Sequence, residues 1–180
     1  MREIRDPFRL RVLKAMSAAI KGVTPANGCR FDLSDTVDEA GRVVERVARG
    51  RAWFTDADPL PLVSLLEDPR PIAGQTPSPQ GSPRAGTWHL IAQGFVRDDP
   101  ENPTDPAHRL VAEVTRALLA GARAERGMLL GEPLGARSSV RGIEVAFPLV
   151  RPPEEGVSDV AYFALPIVLT VVEDLARPFD

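Results

Sequence analysis

Proline constrains this chain more than any other residue: 18 of the 180 positions are proline, about twice the usual share of roughly 5%. A proline ring breaks a helix interior and removes a donor from a central strand, and most of these prolines stand between apolar runs. The chain is therefore expected to fold as short elements joined by stiff loops. Its length suffices for a real core in one domain spanning residues 1–180. Within that domain the stretch 72–86, "IAGQTPSPQGSPRAG", is too poor in apolar residues to order itself and reads as a flexible Pro/Ser-rich loop.

Two periodicities fill the space between the breaks. After Pro7, which suits a first helical position, Phe8, Val12, Leu13, Met16, Ala19, Ile20 and Val23 share one helical face, and Gly22 supplies a stop. A second helical pattern starts at Asp105, with Leu110, Val111, Val114, Ala117, Leu118 and Ala122 on one face and Gly127 beyond it. Strand periodicity is found where Cys29, Phe31 and Leu33 alternate with Arg30 and Asp32. "DTVDEAGRVVERVARGRAWF" (35–54) reads as a further strand with an irregular, partly exposed continuation, and "PLVSLLED" (61–68) as a strand closed by Asp68-Pro69.

"TWHLIAQGFV" (87–96) is apolar on both alternating sets, so it belongs centrally in a sheet or under cover on both faces. The last two runs, "SVRGIEVAFPLVR" and "SDVAYFALPIVLTVVEDL", joined by "PPEEGV", form a long C-terminal hairpin. The order is helix, two to four strands, helix, hairpin. That is an α+β fold, a mostly antiparallel sheet packed with two main helices.

A formal net charge of -3 and a pI near 5.5 give no basic excess of the kind that grips phosphate, so nucleic-acid binding is not the main role. Cys29 stands alone and cannot form an internal disulfide, and no signal peptide or apolar run of about 18 residues occurs. A reducing cytoplasm, with no membrane, is the expected setting.

Chemistry has one concentrated candidate, "QGFVRDDPENPTDPAHRL" (93–110), where Asp98, Asp99, Glu101, Asp105 and His108 could supply ligands to a divalent cation. A helix start explains the same residues. Thr104 or Asp105 can cap, Pro106 can sit just inside, and an acid near the helix dipole contributes about 0.3–1 kcal/mol without any metal. His89 and His108 are the two histidines, and no spacing marks a nucleophile. Cys29 sits in an apolar set, and "GRVVERVARG" lacks the glycine spacing and lysine of a phosphate loop. No catalytic residue, cofactor or resident metal is expected. "RVARGRAW" gathers Arg46, Arg49 and Arg51 beside Trp53 amid Asp35, Asp38, Glu39 and Glu45, a mixed-charge surface with residue types that anchor protein interfaces.

Four segments carry a family resemblance: the opening amphipathic helix; "RGRAWF…DPLPLVSLLEDPRP"; "WHLIAQGFVRDDPENPTDPAHRLVAEV"; and "GIEVAFPLVRPPEEGVSDVAYFALPIVLTVVEDLARPF". Together they resemble the tail-terminator (minor tail protein U-like) family of long-tailed bacteriophages. The resemblance implies an α+β subunit, assembled in the host cytoplasm into a hexameric ring at the head-proximal end of the virion tail. Such a ring caps the tail tube protein, ends its polymerisation and offers a docking face to the head-neck connector protein. DNA only passes through the lumen. The chain departs from a minimal version at 72–86 and at the Gly-rich "GEPLGARSS" (131–139).

Candidate subunit or tube contacts on this reading are Arg49, Arg51, Trp53, Asp98, Asp99, Glu101, Glu154 and Glu155. A neck or head-completion protein joining connector to tail is the alternative within the virion. A small metal-dependent hydrolase built on Asp98, Asp99, Glu101 and His108 is the alternative outside it, and a cation bridging acidic loops of neighbouring subunits is its weaker form.

Overall fold

The computed structural model describes residues 6–55, 57–69, 84–122, 138–154 and 158–179. Helix α1 spans Phe8–Lys21; Pro7 precedes it in an extended conformation, and the Gly22 and Val23 amides close it by donating to the carbonyls of Ala19 and Ile20. Strands β1 (Thr36–Val37), β2 (Val43–Val44), β3 (Val47–Arg49), β4 (Leu62–Glu67) and β5 (Arg84–Arg97) follow, then helix α2 (Asp105–Ala122). Strands β6 (Ser139–Val145), β7 (Leu149–Arg151) and β8 (Val160–Glu173) complete the order. This is an α+β fold.

The main sheet runs β3-β4-β5-β8-β6, with β7 also on β8. β3 and β4 pair in parallel, and every other pair in the sheet is antiparallel. β5 is the middle strand, as expected from its apolar character on both alternating sets. Its long partner β8 matches it from Arg84↔Glu173 to Arg97↔Val160.

Alternation decides which face meets the helices. Trp88, Leu90, Ala92 and Val96 of β5 and Ala161, Phe163, Leu165, Ile167, Leu169 and Val171 of β8 share one buried cluster with both helices. Phe8, Val12, Met16 and Ile20 of α1 and Leu110, Val114 and Leu118 of α2, all fully buried, supply the helical side. Each such side chain contributes about 1.5–3 kcal/mol by leaving water, which is why the predicted helical faces formed as helices. Gly94 interrupts the β5 set because the ring of its partner Phe163 occupies that space: a Cβ on Gly94 would lie 2.0 Å from the ring.

A smaller cluster of Leu62, Phe95 and Val160, joined by Phe54, Leu60 and Tyr162, covers part of the opposite face. The first turn of α1 is tied to the end of β8. Arg9 bonds the Glu173 carboxylate at 3.0 and 3.1 Å and lies 5.2 Å from the centre of the Trp88 ring, and the Phe8 amide donates to Pro178 O at 2.7 Å.

The C-terminal hairpin formed with one break. Three residues, Ala146–Pro148, stand opposite two, Leu165 and Pro166, and so split the predicted single strand into β6 and β7. Two prolines account for the split. The Pro166 carbonyl accepts from the Ala146 amide at 3.0 Å, so the backbone of Pro166 faces β6 and β7; it has no N–H to return the bond. Pro148, within the break, has none either. The β5 side of β8 loses nothing, and its register runs unbroken through Ile91↔Pro166.

Three other expectations need correction. Residues 35–54 hold not one strand but the separate β1–β2 hairpin and then β3, so five strands rather than two to four stand between the helices. Residues 29–33 are not a strand. Their amides go elsewhere: Arg30 and Phe31 donate to the Glu113 carboxylate of α2 at 2.6 and 3.2 Å, Cys29 to Thr24 O and Leu33 to Val23 O. A carboxylate from a distant helix replaced the neighbouring strand, although Leu33 is buried as the alternation required. The expected loop 72–86 also ends earlier, because Arg84, Ala85 and Gly86 already pair with Glu173, Val172 and Val171; residues 72–83 lie outside the described residues.

Candidate functional site

The short β1–β2 hairpin is built by local turn chemistry. The Asp38 carboxylate accepts from the amides of Ala40 and Arg42 at 2.9 Å each and from Arg42 Nε at 2.7 Å, while Gly41 takes the positive φ of 77° that closes the loop. These bonds hold the Asp38 carboxyl below its ordinary value. Beside this hairpin β3 forms one end of the main sheet.

The arginines near Trp53 divide into two roles. Arg51 is a latch: its guanidinium pairs through both terminal nitrogens with Asp58, one bond measuring 2.7 Å, and its amide donates to the buried Ser64 hydroxyl at 3.2 Å. Thr55 adds its amide and hydroxyl to the same carboxylate at 2.6 and 2.9 Å. Burial opposes ionisation of Asp58, but the bonds from Arg51 and Thr55 outweigh it and hold the carboxyl below its ordinary value.

Arg49 ends β3 exposed, with no side-chain partner among the described residues. Trp53 is 70% exposed. An open cleft of about 650 Å³ lies between the hairpin, β3 and this loop, lined among others by Val43, Ala48, Arg49, Asp58 and Pro59.

The acidic stretch before α2 is a turn. Asp99 Oδ1 accepts from the amides of Glu101 and Asn102 at 2.9 and 3.0 Å, bonds that lower the Asp99 carboxyl below its ordinary value. Asp105 opens the helix and pairs with Arg109 one turn on at 2.8 Å. The Thr104 carbonyl takes the first helical amide, from His108, at 3.0 Å. Asp98 donates its amide to Asp159 O at 2.9 Å, and Arg97 pairs with the Asp159 carboxylate. The turn therefore sits against the start of β8.

Glu154 lies in the turn between β7 and β8, exposed, its carbonyl taking the Ser158 amide at 3.1 Å. Glu155 lies outside the described residues. Phe54 packs against Phe95 with ring centres 4.6 Å apart and the planes tilted by 47°. The Trp53 loop, the acidic turn and Glu154 thus gather at the end of the sheet where β5 leaves and β8 enters. Arg49 is set apart at the β3 edge.

Among the described residues no group of three or more His, Cys, Asp and Glu side chains is placed to hold a metal ion. His108 is exposed on the first turn of α2, whereas His89 lies midway along β5. Asp98, Asp99, Glu101 and His108 are thus neighbours in sequence without converging.

Sequence reasoning missed the apolar edge at the other end of the sheet. Phe147, in the break between β6 and β7, is 97% exposed, and Leu149 beside it is 49% exposed. The signal was present as Pro148 and Pro166, but it needed the register of β8 to be read. Comparison with known protein-family models finds no match, and comparison with curated protein sequences finds none.

Proposed function

We propose that this chain is a structural subunit of a ring that caps a bacteriophage tail tube, ends tube polymerisation and presents a docking surface to the head-neck connector. One observation carries the reading beyond the resemblance of its segments: the open sheet presents different exposed features at its two ends. Arg49 and the cleft lie at the β3 end, and Phe147 and Leu149 at the β6–β7 end. Phe147 and Leu149 put an exposed aromatic and a half-exposed aliphatic side chain on one edge, and aromatic side chains are among the residue types that anchor protein contacts. Two unlike patches on one subunit suit a head-to-tail contact repeated around an axis.

The charged turn with Asp98, Asp99 and Glu101, together with Glu154 in the β7–β8 turn, supplies the contact with the tube or the neck, and the acidic balance of the chain suits a lumen through which DNA slides. Among the described residues no helix is long and apolar enough to cross a membrane. Electron microscopy of tails assembled without this protein tests the proposal. Overlong tubes are expected, with normal length restored by adding it back. Tubes of normal length that fail to join heads would instead make it a neck protein.

A further inference from the structure

We infer that two copies of this chain pair in solution through the free edge of β6, antiparallel and about a twofold axis at Ile143. The inference goes beyond the ring reading, because it concerns the chain before it meets a tube. A ring using the same edge forms once the pair has opened.

Strand β6 is last in the strand order, so its side away from β8 bonds to no strand among the described residues. Such an edge is a template for another strand. The other end of the sheet offers less, since β3 has three residues against seven in β6. Alternation gives the register. The Ala146 amide points to β8, where the Pro166 carbonyl takes it at 3.0 Å, so Glu144 also faces β8 and the backbone of Ile143 and Val145 faces outward. With Ile143 on the axis, each copy's Ile143 amide donates to the other's Ile143 carbonyl.

Charge selects a reversed copy of the same strand as the occupant. Arg141 and Glu144 are exposed on β6, and neither has a side-chain partner among the described residues. Val140, Ile143 and Val145 pack on the helix side, so Arg141 and Glu144, which alternate with them, share the opposite face. Arg141 is the extra residue where the register shifts between Val140 and Gly142. In the paired edge Glu144 stands across from Gly142 of the second copy, which has no side chain to intervene, and beside that copy's Arg141. The axis repeats the contact, giving two pairs of opposite sign. A strand without this charge order meets unmatched charge, a usual guard of sheet edges. Arg151 lies on β7, beyond the break, and takes no part. The same alignment brings Phe147, 97% exposed, alongside the first residues of the second copy's β6.

Sedimentation velocity of the full chain over a concentration series, without tubes, tests the pairing. A dimer that grows no further is expected, because two copies use up an isologous contact. Glu144→Arg and Arg141→Glu, both at exposed positions, each turn the two pairs repulsive and are expected to weaken dimerisation about tenfold. Mixing these two variants is the decisive step: every pair then has opposite signs again, and heterodimers form at least as tightly as the wild type. A wild type that stays monomeric or grows past the dimer overturns the inference. So do single variants that dimerise as the wild type does, or a mixture that fails to. None of these outcomes touches the ring reading, which stands or falls on the length of tubes assembled without the protein.

Discussion

Gly94 lies at the centre of the sheet, and Gly94→Ala tests how tightly β5 packs against β8. The added methyl would lie 2.0, 2.3 and 2.8 Å from three carbons of the Phe163 ring. Phe163 is fully buried in the main cluster and cannot swing out to solvent. Overpacking of this kind costs about 1–3 kcal/mol. The unfolded chain loses freedom when glycine is replaced, which offsets roughly 0.4–1 kcal/mol, so a net loss of about 1–2 kcal/mol is expected.

Urea unfolding should report that loss as a lower midpoint at unchanged slope, and for a chain of this size the melting temperature should fall by about 2–8 °C. The cause is checked by repeating the substitution in a Phe163→Leu background. If the ring is what the methyl meets, the cost shrinks there, with a coupling of about 0.5–3 kcal/mol. A neutral or stabilising Gly94→Ala, or an equal cost in both backgrounds, would mean that the Phe163 ring does not fill the space beside Gly94.

Further expectations concern the Arg51 latch and acid stability. Asp58→Ala removes both guanidinium bonds and both Thr55 bonds and should lower stability by about 1–3 kcal/mol; thermal unfolding of both single variants and of Arg51→Ala/Asp58→Ala measures the coupling, and strict additivity would refute the latch. Asp58 has a folded-state pKa below its ordinary 3.8, so its contribution is fully present above that unfolded value and is lost as pH falls below 3.8 through the lower folded value. The urea midpoint of the wild type should therefore drop more steeply with acidification in that window than that of Asp58→Asn, and parallel curves would count against it.

Some of the site could be read in the sequence because its causes are local. "DDPENPTDP" encodes its own turn: Asp99 reaches amides two and three residues ahead, and Asp105 reaches Arg109 across one helical turn. The same holds for Gly22 at the end of α1. "RVARGRAW" marked a surface, yet which arginine stays available depended on Asp58, brought alongside by the loop between β3 and β4. Cys29, Phe31 and Leu33 carried a true strand period, but Glu113, more than eighty residues away, took the amides of Arg30 and Phe31.

The two helical faces, the central character of β5, the C-terminal hairpin and the acidic turn are all legible in the residues. Each follows from periodicity or from bonds spanning a few residues, which a chain carries with it before it folds. Which strands end the sheet, which way Pro166 faces, and hence the exposure of Phe147 emerge only from the packing of the whole chain. The physical reason is that a missing donor matters only once the strand opposite it is known, and strand pairing is a property of the folded chain.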